Sequence, residues 1–214
     1  MIGKGKSISH GVAALEYDLA KEIDGQAAAT EIARHELYGC TGAEMVQEMK
    51  PYHIDFPNVK NNCLRFEVSP SIEESATFTD ADWAELGNDF MQRMGLANHQ
   101  YIIIRHSGTE SKKEQAHLHI LANRVSLSGE LYRDNWIGKK ATEAANAIAK
   151  ERNFVQSQDI GKVNKAEIKE AMDGVLKKMQ GFDLTKFKEE LGKRGFKVRE
   201  ARASTGKLNG YYVT

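Results

Sequence analysis

The chain of 214 residues has few of the features that mark secreted, disulfide-stabilised or membrane proteins. Its two cysteines, Cys40 and Cys63, are too few for a disulfide framework and too far apart for a CxxC metal site, so we expect buried, reduced thiols. No stretch approaches the roughly 20 apolar residues that cross a bilayer, and no apolar run follows the lysines near the N-terminus. We therefore expect a cytoplasmic protein without membrane insertion.

Aromatic residues and net charge are also scarce. Phe, Trp and Tyr make up 8% of the chain, and no stacking platform for single-stranded nucleic acid is evident from the sequence. The formal net charge is zero, but residues 1–100 hold 8 Lys and Arg against 16 Asp and Glu, whereas residues 101–214 hold 22 against 14. The basic second half permits a local cationic surface for phosphates, although ordinary solvated helix faces explain the asymmetry equally well.

The hydrophobic pattern predicts several helices. Helical spacing indicates helices over residues 11–24 and 28–37, and Thr41 with Glu44 forms a capping-box sequence before a third. Further helices are expected over residues 79–94, 139–152 and 164–179, and a last one is expected after Asp183.

Strict alternation of apolar and polar residues predicts the strands. Residues 62–70 place Leu64, Phe66 and Val68 on a core face and two charged side chains on the other. Further strands are expected over residues 101–106 and 117–125, and a closing hairpin turns at residues 204–206. Because strands and helices do not alternate regularly, we expect an α+β fold with a central antiparallel sheet flanked by helices.

The strongest local signal for chemistry is His117-Leu118-His119. Alternation on a strand sends both imidazoles to one face, where they can bind a metal ion, while Leu118 enters the core. His106, at the end of the preceding strand, is the favoured third ligand, and Glu110 or Glu114 in the loop is the alternative. An isolated pair of such histidines is weak support for a metal site, and the additional His106 strengthens it.

Other candidates are less specific. Glu67, on the charged face of its strand, would point toward the metal if that strand adjoins the histidine strands, where it could accept a proton. The alternative is a surface glutamate paired with a cation. Tyr17 lies in the first predicted helix, where a tyrosine is usually a packing residue, and His10 is a competing nucleophile.

Several of these segments together resemble the mobilisation relaxases of the HUH endonuclease superfamily, especially those of Bacteroides-type mobilisable elements. The N-terminal MIGKGKSISHGVAALEYDLAKE is similar to the segment that carries their nucleophilic tyrosine, at Tyr17 here, and LRFEVSPS resembles the strand with an acidic residue, at Glu67. The segment from His106 through HLHILANRV resembles their three-histidine signature. The resemblance implies a catalytic core over residues 1–155, with residues 156–214 as a helical and hairpin extension.

The resemblance also implies a chemistry. Mg²⁺ or Mn²⁺ at His106, His117 and His119 would assist attack by Tyr17 on single-stranded DNA at an origin of transfer, giving a 5′-phosphotyrosine, although some relatives use an N-terminal histidine. Accessory mobilisation proteins and a secretion coupling protein are the further partners it implies. Candidate DNA contacts are Lys4, Lys6, Arg105, Asn123 and Arg124.

Three other functions compete with this one. A rolling-circle replication initiator of the same superfamily would use the same ligands and nucleophile. A cupin-like metalloenzyme would need many more strands than the sequence indicates. A non-catalytic single-stranded DNA binding module would need aromatic platforms, which the low aromatic content does not favour.

Overall fold

The computed structural model describes residues 1–108 and 115–213. They form two compact units, Met1–Ser157 and Gln158–Thr214. None of the helices in these ranges combines the length and the apolar composition that a bilayer-spanning segment needs. The functional division after residue 155 that the sequence indicates stays a prediction.

Each helix and strand is bounded as follows. The first unit contains, in chain order, β1 (Ile2–Ile8), α1 (Gly11–Leu19), β2 (Glu22–Ile23), β3 (Gln26–Ala27), β4 (Ala29–His35), α2 (Gly42–Met49), a 3₁₀ turn (Lys50–His53), β5 (Cys63–Ser69), α3 (Ile72–Ser75), α4 (Asp80–Arg93), β6 (His99–His106), β7 (His117–Ser126) and α5 (Ile137–Glu151). The remaining elements are α6 (Ser157–Leu176), α7 (Leu184–Gly192), β8 (Val198–Arg202) and β9 (Leu208–Val213).

A five-stranded antiparallel sheet in the order β1-β5-β7-β6-β4 forms the centre of the first unit. Alternate residues of the central strands face opposite sides. On one face Phe66, Ile103 and Ile120 pack with residues of α4 and α5. On the other face Ile104 and Leu121 pack with residues of α1 and α2. The predicted α+β fold with a helix-flanked antiparallel sheet is confirmed.

The edge strand β1 explains the Gly-Lys-Gly-Lys sequence at the N-terminus. A Cβ atom on Gly3 would lie 2.4 Å from the carbonyl oxygen of Ala141 in α5, and one on Gly5 would lie 2.8 Å from the Phe66 ring. The two glycines therefore allow α5 and the core to approach the strand closely, while Lys4 and Lys6 occupy the exposed face. The segment is therefore a strand of the sheet, for which the sequence analysis gave no prediction.

The first predicted helix is shorter than expected. α1 ends at Leu19 rather than at residue 24, and a small hairpin of β2 and β3 follows. Asp24 and Gly25 form its turn with φ angles of 53° and 73°, as a two-residue hairpin loop requires.

The helix predicted over residues 28–37 is a strand, β4, at the other edge of the sheet. Its register shifts between Glu31 and Ala33, which marks a β-bulge. The bulge interrupts the two-residue alternation, so the apolar Ala29, Ile32 and Ala33 fall at helical spacing although each contributes to the cores of a sheet. Pairing with β6 overrides the helical propensity of this alanine-rich segment.

The other local predictions are largely confirmed. Thr41 and Glu44 form the capping box of α2, Thr79 caps α4, and Asp183 caps α7. In the second unit α6, α7 and the β8–β9 hairpin surround a small core of Ala171, Val175, Phe187 and Leu191. Phe196, Val198 and Val213 pack against this core.

The two cysteines differ in their surroundings. Cys63 is buried, and this burial raises the pKa of its thiol to about 11, so the thiol stays protonated at neutral pH. Cys40 is exposed, which corrects the expectation that both thiols are buried.

Candidate functional site

Three histidines meet on the face of the sheet that α1 and α2 cover in part. His106 of β6 pairs directly with His117 of β7, and His119 lies two residues further along the same face. One ring nitrogen of each lies within 4.8 Å of those of the other two, and the Nε2 atoms of His117 and His119 are 3.1 Å apart. The structure therefore brings together the three histidines that the sequence singles out.

The rings are held in the form that binds metals. Burial, with a further contribution from His106 and His117, lowers the pKa of His119 to about 2, and burial lowers the pKa of His106. Both imidazoles are therefore neutral at physiological pH.

Backbone carbonyls determine which ring nitrogen carries the proton in His117 and in His106. Nδ1 of His117 donates to the oxygen of Gln115 at 3.1 Å, and Nε2 of His106 donates to the oxygen of Asp18 at 2.8 Å. A carbonyl only accepts, so the neutral form of either ring keeps a lone pair on its other nitrogen. Such a hydrogen bond on the outer nitrogen is typical of metal-binding histidines.

The C-terminal turn of α1 brings a buried carboxylate to the histidine cluster. This residue, Asp18, was not predicted from the sequence. Asp18 is 1% exposed and accepts two hydrogen bonds from the Arg65 guanidinium, one of them 3.1 Å long from Nε. Its Oδ1 lies 3.7 Å from Nδ1 of His119. Desolvation raises the pKa of Asp18 although Arg65 acts in the opposite direction.

A signal for Asp18 was present in the sequence. The buried residues of α1 are Gly11, Ala14, Leu15 and Asp18, which is the spacing of a single helix face. A carboxylate at the end of such a face requires a charged or hydrogen-bonding partner. That partner is Arg65, which lies on β5 and so could not be assigned without the strand order.

Tyr17 lies immediately before Asp18 and is 60% exposed. Successive helical residues project about 100° apart, so its side chain leaves α1 on a different side from the Asp18 carboxylate. Lys21 Nζ lies 5.8 Å from the centre of its ring. The main chain beside Tyr17 thus contacts His106, while the phenol is accessible to an incoming substrate.

His10 lies at the opposite end of the same helix, as the N-cap residue of α1, and is exposed. At 1.5 Å per residue, the helix separates His10 from Asp18 by about 12 Å along its axis. Of the two candidate nucleophiles, Tyr17 is therefore the one whose backbone lies beside the histidines.

Glu67 lies between the histidines and the edge of the sheet. It is opposite His119 on β7 and opposite Lys4 on β1, and its Oε1 lies 2.8 Å from Lys4 Nζ. A cavity of about 220 Å³ beside His119 is lined by Glu67, Lys4, Lys6 and Arg65, among others. The three cations outnumber Glu67, so the formal charge of the cavity lining is positive.

The sheet separates two of the predicted DNA contacts from the histidines. Arg105 forms an ion pair with Asp80 at the start of α4, and Arg124 Nη2 lies 2.6 Å from Asp134. Alternation along β6 and β7 places both guanidinium groups on the face opposite the histidines. A phosphate held at the histidine cluster is therefore out of their reach.

Asn123 shares the histidine face but is fully buried. Its Oδ1 lies 2.7 Å from Nε2 of His53, and its Nδ2 donates to the side chain of Gln100. The amide thus holds the 3₁₀ turn against the sheet. Glu110 and Glu114, the alternative ligands, lie outside the described residues.

Comparison with known protein families gives a match that covers most of the chain. Residues 17–154 match the family model described as relaxase, MobA/VirD2-like, nuclease domain. A search of curated protein sequences gives no significant match.

The chain is also similar to solved structures of a conjugative relaxase, at low sequence identity. The metal-bound conjugative relaxase TrwC in complex with oriT DNA is 12% identical with a TM-score of 0.42, and the match covers 97% of this chain and 74% of that one. The copper-bound complex, also 12% identical, gives a TM-score of 0.40 with 97% and 75% covered. Scores of this size do not establish a shared fold, so the family rests on the sequence match.

Proposed function

Because this chain belongs to the MobA/VirD2-like relaxase nuclease family, we propose that it nicks single-stranded DNA at an origin of transfer through a 5′-phosphotyrosine and so initiates mobilisation. The observation that carries the proposal is the convergence of His106, His117 and His119 beside the helix that holds Tyr17. The narrower link to Bacteroides-type elements stays a prediction.

The histidine cluster fits a divalent metal ion, for which we propose Mg²⁺ or Mn²⁺. The rings of His106 and His119 are neutral, and carbonyl partners leave His106 and His117 each with a free lone pair. When bound, the ion supplies positive charge that stabilises the negative charge developing on the scissile phosphate. The buried Asp18 carboxylate, with Arg65, orients the His119 ring from behind.

The covalent step is a transesterification. The Tyr17 oxygen forms a bond to phosphorus as the bond from phosphorus to the 3′ oxygen breaks. The phenol loses its proton, for which Glu67 is our candidate acceptor, and the departing oxygen takes up a proton to become a 3′-hydroxyl. The phosphotyrosine ester keeps the energy of the broken bond, so the same site can rejoin a strand.

Lys4, Lys6 and Arg65 are the cations that we propose hold the DNA backbone beside His119. Accessory mobilisation proteins and a secretion coupling protein are the partners, and the cytoplasm the compartment, that we propose from the sequence resemblance.

The decisive experiment uses Tyr17→Phe, which removes one oxygen and little volume. We expect normal folding and DNA affinity but no covalent adduct with single-stranded DNA carrying the cognate origin, as measured on a denaturing gel. His10→Ala is the matched control and should form the adduct. An adduct with Tyr17→Phe and none with His10→Ala would identify His10 as the nucleophile.

A further inference from the structure

A second surface with the chemistry of a nucleic-acid contact lies at the start of α5. Trp136 is 81% exposed, whereas Trp83, the other tryptophan of the chain, is 2% exposed in the core. The backbone of Trp136 has φ of 58°, in the left-handed region that a bulky residue rarely adopts. Exposure and backbone strain at one large aromatic side chain point to a binding role rather than to packing.

Concave surfaces adjoin the Trp136 side chain. A cavity of about 630 Å³ is lined by Trp136 together with Arg124, Tyr132, Arg133 and Lys140, among others. A smaller cavity of about 290 Å³ shares Trp136 and Lys140 and adds Lys139. The indole thus borders two depressions, each of which contains cationic side chains. We call the residues that line either of these two cavities the Trp136 surface.

The Trp136 surface carries a net positive charge. Four cationic side chains line it, Arg124, Arg133, Lys139 and Lys140, against one acidic side chain, Glu143. Arg124 pairs with Asp134, and Lys139 pairs with Glu143. Lys140 Nζ lies 4.9 Å from the centre of the Tyr132 ring and 2.7 Å from the Arg133 carbonyl oxygen. Arg133 is exposed. A polyanion with flat, apolar groups complements such a surface.

The Trp136 surface and the histidine site adjoin the same edge strand. A Cβ atom on Gly138, in the first turn of α5, would lie 3.5 Å from the carbonyl oxygen of Gly5, and Gly5 lines the cavity beside His119. Thr142 of α5 also donates a hydrogen bond of 3.1 Å to the carbonyl of Gly3. A single DNA strand that runs from the histidines past Lys4 and Lys6 would therefore cross β1 and reach α5.

We propose that Trp136 stacks on an unpaired base of the DNA that flanks the nick, while Arg133 and Lys139 contact its phosphates. The inference rests on the proposed function, because it takes the substrate to be single-stranded DNA. An unpaired base offers a free aromatic face, whereas the bases of a duplex are stacked on one another. The net positive charge favours this occupant over a neutral or basic protein partner.

The two tryptophans allow a direct test without metal, so that no nicking occurs. Titration with single-stranded oligothymidylate should quench the fluorescence of exposed Trp136 and leave that of buried Trp83 unchanged. Trp136→Phe should retain affinity but lose the quenching. Trp136→Asn, which suits the left-handed backbone and has no aromatic ring, should weaken binding about tenfold.

Matched controls separate stacking from general effects. Tyr38 is a comparably exposed aromatic residue, 76% accessible, whose hydroxyl donates to Glu36, and Tyr38→Asn should leave DNA affinity unchanged. Arg133→Gln should lower the slope of log affinity against log salt by about 0.7, the value for one phosphate contact of a single strand. A folding measurement by circular dichroism accompanies each variant.

Several results would overturn the proposal. Unchanged affinity of Trp136→Asn, or equal quenching by a duplex, would exclude base stacking. Loss of binding to a mobilisation protein with unchanged DNA affinity would make the surface a protein interface. If the wild-type protein nicks origin DNA but its fluorescence is not quenched, base stacking at Trp136 is rejected and the proposed function stands. If DNA quenches the fluorescence but the wild-type protein nicks no origin DNA, the proposed function is rejected and base stacking stands.

Discussion

On one face of the sheet, Phe66, Ile103 and Ile120 pack against α4 and α5. On the other face, the apolar residues that pack with α1 and α2 end at Ile104 on β6 and at Leu121 on β7. Beyond these two residues the second face continues with the three histidines. The first face is an apolar core, and the second is a core along part of its length and a polar site along the rest.

Helix length accounts for the difference. α4 and α5 have 14 and 15 residues, whereas α1 and α2 have 9 and 8. At 1.5 Å per residue the first pair spans about 21 and 22 Å, and the second about 14 and 12 Å. The shorter helices cover less of the sheet, and the last turn of α1 places Asp18 beside the histidine cluster.

The largest effect should come from neighbouring residues of β7 that face opposite sides. His119→Ala should reduce nicking by about 1000-fold or more with little change in folding, because it removes a metal ligand. Ile120→Ala should lower the free energy of unfolding by about 2–5 kcal/mol and preserve nicking in the folded fraction. Denaturant titrations and nicking assays on both variants measure the contrast, and equal losses of activity at equal stability would contradict it.

Two aspartate–arginine pairs provide the next comparison. Asp18→Asn should weaken Mn²⁺ binding, measured by calorimetry, by about 10- to 100-fold, because it disturbs the partner that orients His119. Asp80→Asn, in the exposed pair with Arg105 on the opposite face, should leave Mn²⁺ affinity unchanged and alter stability by about 1 kcal/mol or less. Equal Mn²⁺ affinity in both variants would show that Asp18 has no positioning role.

Two glycines at the contact between β1 and α5 should respond differently. Gly5→Ala should lower the free energy of unfolding by about 1–3 kcal/mol, since its Cβ would meet the Phe66 ring at 2.8 Å. The Cβ atom of Gly138→Ala would lie 3.5 Å from the carbonyl oxygen of Gly5, which is ordinary van der Waals contact. This variant should leave the free energy of unfolding unchanged or raise it by up to about 1 kcal/mol. A Gly5→Ala variant as stable as the wild type in urea would argue against close packing of β1.

The smallest effect concerns the exposed cations of the histidine face. Lys6→Gln should reduce the slope of log DNA affinity against log salt by about 0.7, because one phosphate contact is lost. Lys50→Gln, which removes an exposed lysine outside the cavity that Lys6 lines, should leave the slope unchanged. Affinity for single-stranded DNA that does not vary with salt in the wild type would contradict both this prediction and the proposed phosphate contacts.

Features that depend on neighbours in the sequence could be predicted well. The alternation of β5 and β7 gave both their buried faces and the shared face of His117 and His119. The capping box at Thr41 gave the start of α2. The edge strands β1 and β4 were missed, because glycines and a bulge obscured their alternation.

The features that could be predicted from consecutive residues are therefore local: the period of each central strand, the helix caps, and the set of histidines that could share a metal. Which distant groups meet depends on the packing of the folded chain. Strand order paired Asp18 with Arg65, and packing around the sheet paired Arg105 with Asp80 and Arg124 with Asp134. The fold also leaves Trp136 exposed at the start of α5, which the sequence does not indicate. Periodicity is a property of consecutive residues, whereas these contacts follow from how separate strands and helices pack.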